Sequence, residues 1–487
     1  RLLGDDVWFL IGMDEHGQKV AQTAVERGLT PQQLTDRIAE SFVRMWDALS
    51  ISHDQFIRTS TPEHGEGVRE LLERIFDRHP DDFYEKSYQG WYCVGCEAFK
   101  QDSEIVDGHC VLHPTRTLDW VEERNWFFRL TAYQDRLRAH IAAHPEFVQP
   151  ESRRNEILGL LQQGLEDVSA SRSRFSWGVP FPRPTSDGEL QTTYVWFDAL
   201  PNYWTATRVP GSHATWPAQL HVVGKDITRF HCVIWPAMLW AAELPLPERV
   251  WAHGFVHLGG ERFSKSAGVK LDLREAVDRF GPDAFRYFLL REVPFDADGN
   301  FSWERFAERY TSDLANGLGN LASRTIAMIE KYCDGVVPSV DVEARVAAAP
   351  WLAVAHSAYV AAMDGHLLHE ALAAAWSVVS KANEYVDRQA PWRLAKDAAR
   401  RPELDLTLAT LAGVLGRLAL MITPFMPTKA QELWRQLGAP GNVDEARWSS
   451  PAPGDETMSV VDPSRWKVEK GPGLFPREET DVRRAAP

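Results

Sequence analysis

His253-Gly254-Phe255-Val256-His257-Leu258-Gly259-Gly260-Glu261-Arg262-Phe263-Ser264-Lys265-Ser266 joins a short apolar run to a Gly-Gly turn and two serines flanking a lysine. The small residues Ala267 and Gly268 follow and let the backbone come close to a ligand. Lysine supplies a compact charge with three donors and the serines supply adaptable hydroxyls. That set suits a loop that holds a triphosphate while it is attacked. Upstream, apolar runs at 193–196, 219–223 and 250–255 alternate with helical patterns, one starting near Asp226. This rhythm predicts a parallel sheet, hence an α/β fold, with ligands gathered outside the C-terminal ends of its strands.

Working outward, residues 7–12 read as a buried strand ending at Gly12, with the polar cluster Met13-Asp14-Glu15-His16-Gly17-Gln18-Lys19 at its end. Residues 19–49 read as two helical runs, the second opened by Thr30 as N-cap and Pro31 at the first position. Residues 67–79 form another amphipathic helix, 84–125 an insertion of short strands, and 126–165 a return to helix. Beyond about residue 300 the strand signals stop. Ala/Leu-rich periodicity over 304–332, 351–366, 368–389 and 404–422 predicts a helical bundle, with one or two further turns at 428–437. The segment 438–487, rich in Pro, Gly and charge, reads as a tail packed back through Trp466 and Phe475.

A length of 487 residues with 44% hydrophobic and 25% charged content fits a multidomain globular enzyme. No apolar run reads as a bilayer span and no signal peptide opens the chain, so a cytoplasmic protein with no membrane partner is expected. A net charge of −15 excludes a generally basic surface and leaves nucleic-acid contact to local Lys/Arg density. Five cysteines do not make a secreted disulfide framework. Three of them stand in Cys93-Val94-Gly95-Cys96 and, after thirteen intervening residues, Cys110-Val111-Leu112-His113. Three thiolates and an imidazole complete a tetrahedral Zn²⁺ with no open position, which predicts one structural zinc ion.

These motifs in this order resemble methionyl-tRNA synthetase of the single-zinc-knuckle type. The resemblance is carried by Gly12 to Gly17, Gly90-Trp91-Tyr92-Cys93 with its knuckle, and Tyr194-Val195-Trp196-Phe197-Asp198-Ala199-Leu200-Pro201-Asn202-Tyr203. It continues through His221-Val222-Val223-Gly224-Lys225-Asp226-Ile227, Phe263-Ser264-Lys265-Ser266, Arg286 to Arg291, Asn316 to Arg324, and Ala390-Pro391-Trp392. It implies a Rossmann-like class I catalytic domain at 1–83 and 126–300, interrupted by a zinc-knuckle insertion at 84–125. An anticodon-binding helical domain at 301–437 and the tail at 438–487 would follow. The implied activity is ATP-dependent ligation of L-methionine to tRNA(Met), initiator and elongator, through methionyl-adenylate, with Mg²⁺ accompanying ATP.

The resemblance also assigns roles. Trp196, Ala199, Leu200, Tyr203, Ile227 and His231 match a methionine pocket, whose aromatic faces suit a polarisable thioether. Asp14 matches a carboxylate facing the substrate ammonium. Gly224 and Asp226 match the ribose-recognising segment, and Phe263, Ser264, Lys265 and Ser266 the second class I signature. Arg172 matches an arginine acting near ATP. Asn320, Arg324 and Trp392 match the anticodon readers, with Trp392 as a stacking platform. The first class I signature, His-x-Gly-His, is not found. The resemblance therefore implies an opening βα unit of about 40 residues before Arg1. Two other readings stay open: a class I synthetase for another apolar amino acid, or a tRNA-binding fragment without ligase activity.

Overall fold

The structure, a computed structural model, describes residues 1–94, 96, 98–100, 102–111, 113–173, 176–258, 261–262, 273–446 and 461–476. Its chain separates into two compact units: one of 8–47 and 51–253, the other of 1–7, 48–50 and 254–487.

In the first unit the strand Leu10–Met13 lies parallel to Gln55–Arg58. Leu220–Gly224 lies parallel to Arg249–His253, which in turn pairs in parallel with Val148–Gln149. Helices Gln18–Glu26 and Pro31–Ala48 fall where the 3.6-residue period places them, and Pro62–Arg78 starts five residues ahead of the expected 67–79. Val68, Leu71, Leu72, Ile75 and Phe76 turn inward onto a core that includes Phe128, Phe147, Phe181, Phe197 and Trp235. Two expectations need correction. Residues 193–196 are not a strand. Only Thr192–Thr193 pairs, with Ser171–Arg172, and the chain then turns into the helix Val195–Ala199. The region 126–165 is not helical throughout. Asp119–Phe128 is strand, and Val148–Gln149 separates the helices Gln134–Ala143 and Glu151–Gln163.

A four-stranded antiparallel sheet carries the insertion, with Phe83–Cys93 and Asp119–Phe128 paired over ten residues at its centre. The knuckle ends in three short strands, Ile105–Val106, His109–Cys110 and His113–Thr117.

The second unit is mainly helical. Its helices include Trp303–Arg309, Asn320–Cys333, Trp351–Asp364, Leu368–Gln389, Arg401–Ile422 and Pro427–Gln436. Ser302 caps the first, its hydroxyl accepting from the Arg305 amide at 3.2 Å. Contrary to the sequence reading, Ala398–Ile422 is long and apolar enough to cross a membrane, with mean hydropathy 1.6 over 18 residues. The protein itself covers 89% of that window, so its apolarity is core packing. The chain returns along the bundle at 461–476: Val337 donates to the Trp466 carbonyl and Val468 to the Gly335 carbonyl. Before the helices, Val256–Leu258 pairs in parallel with Gly299–Phe301 and antiparallel with Glu261–Arg262. Gly254 opens that strand at very close quarters. A Cβ there would lie 2.0 Å from the Ala297 carbonyl oxygen and 2.6 Å from the Asp298 nitrogen.

Candidate functional site

The Leu220–Gly224 strand ends where the expected ribose segment begins. Gly224 and the exposed Asp226 are so close that a Cβ on Gly224 would meet the Asp226 carboxylate at 2.8 Å. Any Cβ here would require the Asp226 side chain to move aside. The chain then winds through Lys225–Ile227 into the π-helical turn Phe230–Ile234, which carries His231.

His231 Nδ1 lies 3.0 Å from the Ile227 carbonyl, which accepts its hydrogen. Nε2 is then the acceptor of the Tyr203 hydroxyl at 2.7 Å. Burial pushes the Tyr203 phenol up and His231 down to about 4. His221, its ring centroid 4.0 Å from that of Tyr203, is pushed down to about 3, first by burial and then by His231. The three rings form a neutral, largely buried cluster suited to an uncharged side chain, with Tyr203 half-buried. In this arrangement the Tyr203 hydroxyl hydrogen is directed at His231. Trp196 lies flat on Phe230, ring centroids 3.8 Å apart, and stands edge-on to His231 at 6.3 Å. Ala199 and Leu200 are buried beside them, and Ile227 is half-buried. The structure thus gathers Trp196, Tyr203 and His231, and adds Phe230 and His221, which the sequence reading did not assign.

Asp14 is exposed, on the loop after Leu10–Met13. Its neighbours are fastened. Buried Glu15 takes Arg58 Nε at 2.6 Å and the Ser60 hydroxyl, and its amide donates to Thr59 Oγ1 at 2.9 Å. Trp177 Nε1 donates to the Glu15 carbonyl at 2.6 Å. His16 Nδ1 lies 2.6 Å from Asp198 Oδ2, and His64 Nε2 lies 3.0 Å from Asp198 Oδ1. Burial would raise the Asp198 carboxyl, yet the hydrogen bonds from His16 and His64 hold it below the usual range. For His16, burial acts downward and is outweighed by Asp198, with Asp14 and Glu15 adding to the rise.

Arg172 is buried, its Nη1 donating to Ser169 Oγ at 2.7 Å and to the Ser171 carbonyl at 2.8 Å. Its guanidinium lies 4.2 Å from the Tyr194 ring centroid. Phe263, Ser264, Lys265 and Ser266 lie outside the described residues. In the helical unit Asn320 begins the helix Asn320–Cys333, and Arg324 follows one turn later. Arg324 Nη2 pairs with Asp387 at 3.0 Å, and its guanidinium is 5.9 Å from the ring of Trp392, which is 38% exposed.

Cys93, Cys96, Cys110 and His113 bring their ligand atoms within 4.8 Å of one another and could hold a metal ion. Cys96 Sγ is 3.5 Å from Cys110 Sγ and 3.2 Å from His113 Nδ1, and Cys93 Sγ is 3.8 Å from the same nitrogen. A tetrahedral Zn²⁺ with bonds near 2.3 Å requires S···S edges of about 3.8 Å, so these residues fit. The hydrogen bond with Cys93, then burial, holds the Cys96 thiol above its usual range, a preference that a divalent cation reverses.

Parallel strands with a polar loop at their ends, a knuckle insertion and a helical unit are the parts a class I aminoacyl-tRNA synthetase with an anticodon-binding domain would have, and the comparisons assign them to that class. Family models agree: tRNA synthetases class I (M) matches residues 1–117 and 104–326, and the anticodon-binding domain of tRNA ligase matches 353–470. A methionine–tRNA ligase of Caldanaerobacter subterraneus subsp. tengcongensis is 43% identical over 99% of this chain and 74% of its own. That of Streptomyces coelicolor is 40% identical over 98% and 91%. The crystal structure of Mycobacterium tuberculosis methionyl-tRNA synthetase bound by methionyl-adenylate superimposes with a TM-score of 0.86, at 39% identity over 97% of this chain and 92% of that one. The chain belongs to the methionyl-tRNA synthetase family.

Proposed function

We propose that this chain binds methionine, ATP and tRNA(Met), initiator and elongator, and ligates the amino acid to the tRNA in the cytoplasm. The observation that carries the reading is the neutral Tyr203–His231 pair beside the Trp196–Phe230 stack. It lies in a chain 39% identical to an enzyme crystallised with methionyl-adenylate. A methionine carboxylate oxygen attacks the α-phosphorus of ATP and pyrophosphate leaves. A terminal ribose hydroxyl of the tRNA then takes the methionyl group and AMP leaves. Asp14 receives the ammonium, and Trp196, Ala199, Leu200, Tyr203, Ile227 and His231 surround the thioether. Gly224 and Asp226 hold the ribose. Ser264, Lys265 and Ser266, with Phe263 and Arg172, act on the phosphates, which Mg²⁺ accompanies. Zn²⁺ held by Cys93, Cys96, Cys110 and His113 would be structural. Catalysis is positioning and charge stabilisation. With the opening βα unit that the resemblance implies restored before Arg1, exchange of pyrophosphate into ATP that depends on methionine tests this reading; equal exchange with leucine or isoleucine overturns it.

Two outcomes follow for single residues. Lys265→Ala should slow exchange by about 10²–10³-fold, as for loss of one preorganised donor, because phosphate charge grows only as reaction proceeds. Methionine affinity should hold; a fall in affinity with an unchanged rate would remove Lys265 from the phosphates. Trp392→Ala should weaken tRNA(Met) binding by about 1–3 kcal/mol, the worth of one base stack. If the variant still distinguishes CAU from altered anticodons as well as before, Trp392 is a packing residue.

A further inference from the structure

Asp198 is fully buried, carries a charge-bearing group, and none of the proposed chemistry uses it. Its two carboxylate oxygens are divided between two histidines from distant parts of the chain: His16 at 2.6 Å and His64 at 3.0 Å. His64 is fixed in turn, with Thr205 Oγ1 2.9 Å from its Nδ1. One end of this chain of bonds is the loop bearing Asp14. The other is the helix Val195–Ala199, which bears Trp196 and Ala199, and its continuation bearing Tyr203.

We infer that Asp198 is a positioning residue for methionine. Through His16 it sets the place of the Asp14 carboxylate relative to the Trp196–Tyr203 wall, and so the distance between the ammonium and thioether subsites. The inference rests on the proposed reading of Asp14 as the partner of the ammonium. The loop has few ways to adjust. Glu15 is anchored by Arg58, Ser60 and Thr59, and the Glu15 carbonyl by Trp177. Gly17, at φ +107°, has a backbone that side-chain-bearing residues rarely adopt, and its amide donates to the Trp177 carbonyl at 3.2 Å. Asp14 is exposed within this stretch. With both neighbours held, the carboxylate comes to the ammonium already placed, and little ordering cost falls on binding. His16 reaches across to the helix of the methionine wall.

The discriminating measurement uses two ligands, L-methionine and its deaminated analogue, in which hydrogen replaces the ammonium. Binding is followed by calorimetry on the intact chain. Asp198→Asn should weaken methionine by about tenfold or more, in line with displacement of a positioned group by a fraction of an ångström, and leave the analogue unchanged. An equal loss for both ligands would mean general damage, and no loss for either would mean that the His16–Asp198 contact does not position the loop; each overturns the inference. Should Asp198→Asn fail to fold, His16→Leu removes the same link from the other side and is read by the same two-ligand ratio. Asp14→Asn separates the two ideas. If it does not narrow the preference for methionine over the analogue, the reading of Asp14 fails on its own. If it does and the Asp198 and His16 variants do not, only the positioning inference fails.

Discussion

Chelation at neutral pH should strip one zinc ion per chain and unfold the tip of the insertion, roughly residues 93–118, while the helical unit keeps its structure. The cause is the size of the local core. Tyr92, Val94 and Val121 form one small cluster, and Cys93, Cys110 and Leu118 the other, with Cys96 and Ile105 against it. Most of the second cluster is the ligand set itself. Full burial of an apolar side chain is worth about 1.5–3 kcal/mol. Ordering each residue's backbone costs about 1–2 kcal/mol. The apolar contacts among the described residues are too few to hold a tip of this length. A structural zinc site contributes an apparent 10–16 kcal/mol at pH 7, which is enough. Elemental analysis should find the metal, and Cys93→Ser with Cys96→Ser should lose it. Amide exchange should then accelerate between His109 and Thr117 and stay slow in Arg401–Ile422. Unchanged zinc in the double variant, or protected amides in the stripped protein, would mean that another force holds the tip.

Acid should destabilise the first unit well above the pH at which carboxylates titrate. His221 and His231 are held down to about 3 and about 4 in the folded chain, against an unfolded 6.5. A depressed folded value means that the neutral form is favoured by folding. The stability so gained is present above 6.5 and is lost as the pH falls toward 4, where the unfolded chain binds two protons that the folded chain refuses. The slope is about 2.7 kcal/mol per pH unit for two such groups. His16 works in the opposite sense. Its folded value is raised, so its contribution is complete below 6.5 and fades only on the alkaline side. Asp198, held low, loses its contribution only below the ordinary carboxylate range. The urea midpoint of the first unit should therefore fall steadily from pH 6.5 to 4.5, and His221→Asn should roughly halve the slope. A flat midpoint across that window would mean that the pocket histidines protonate in place.

Patterns confined to one element were the readable ones. The strands Leu10–Met13, Leu220–Gly224 and Arg249–His253 overlap the apolar runs that predicted them, the first starting three residues late and the third ending two residues early. The knuckle ligands were legible because two-residue spacings have few other uses. Val148–Gln149 was invisible because two residues carry no period; Val250 and Trp251 beside them make the strand. Thr193 to Trp196 misled because β-branched and aromatic residues suit a buried helix end as well as a strand. There the Thr193 and Tyr194 amides donate to the Val179 and Ala170 carbonyls and the chain turns inward. The contacts of Asp198 with His16 and His64 span 182 and 134 residues, and no local spacing encodes them.

Gly254 has a different bearing, on how substitutions across this chain are interpreted. Even the methyl group of alanine would have to displace the backbone at Ala297 and Asp298. That peptide borders the strand Gly299–Phe301, on which Val256–Leu258 depends for its pairing. In a saturation library under growth selection, position 254 should be as intolerant as a residue that touches substrate, with alanine depleted alongside the bulky replacements. Its intolerance would be steric in origin, and a map of invariant positions would score it as chemistry.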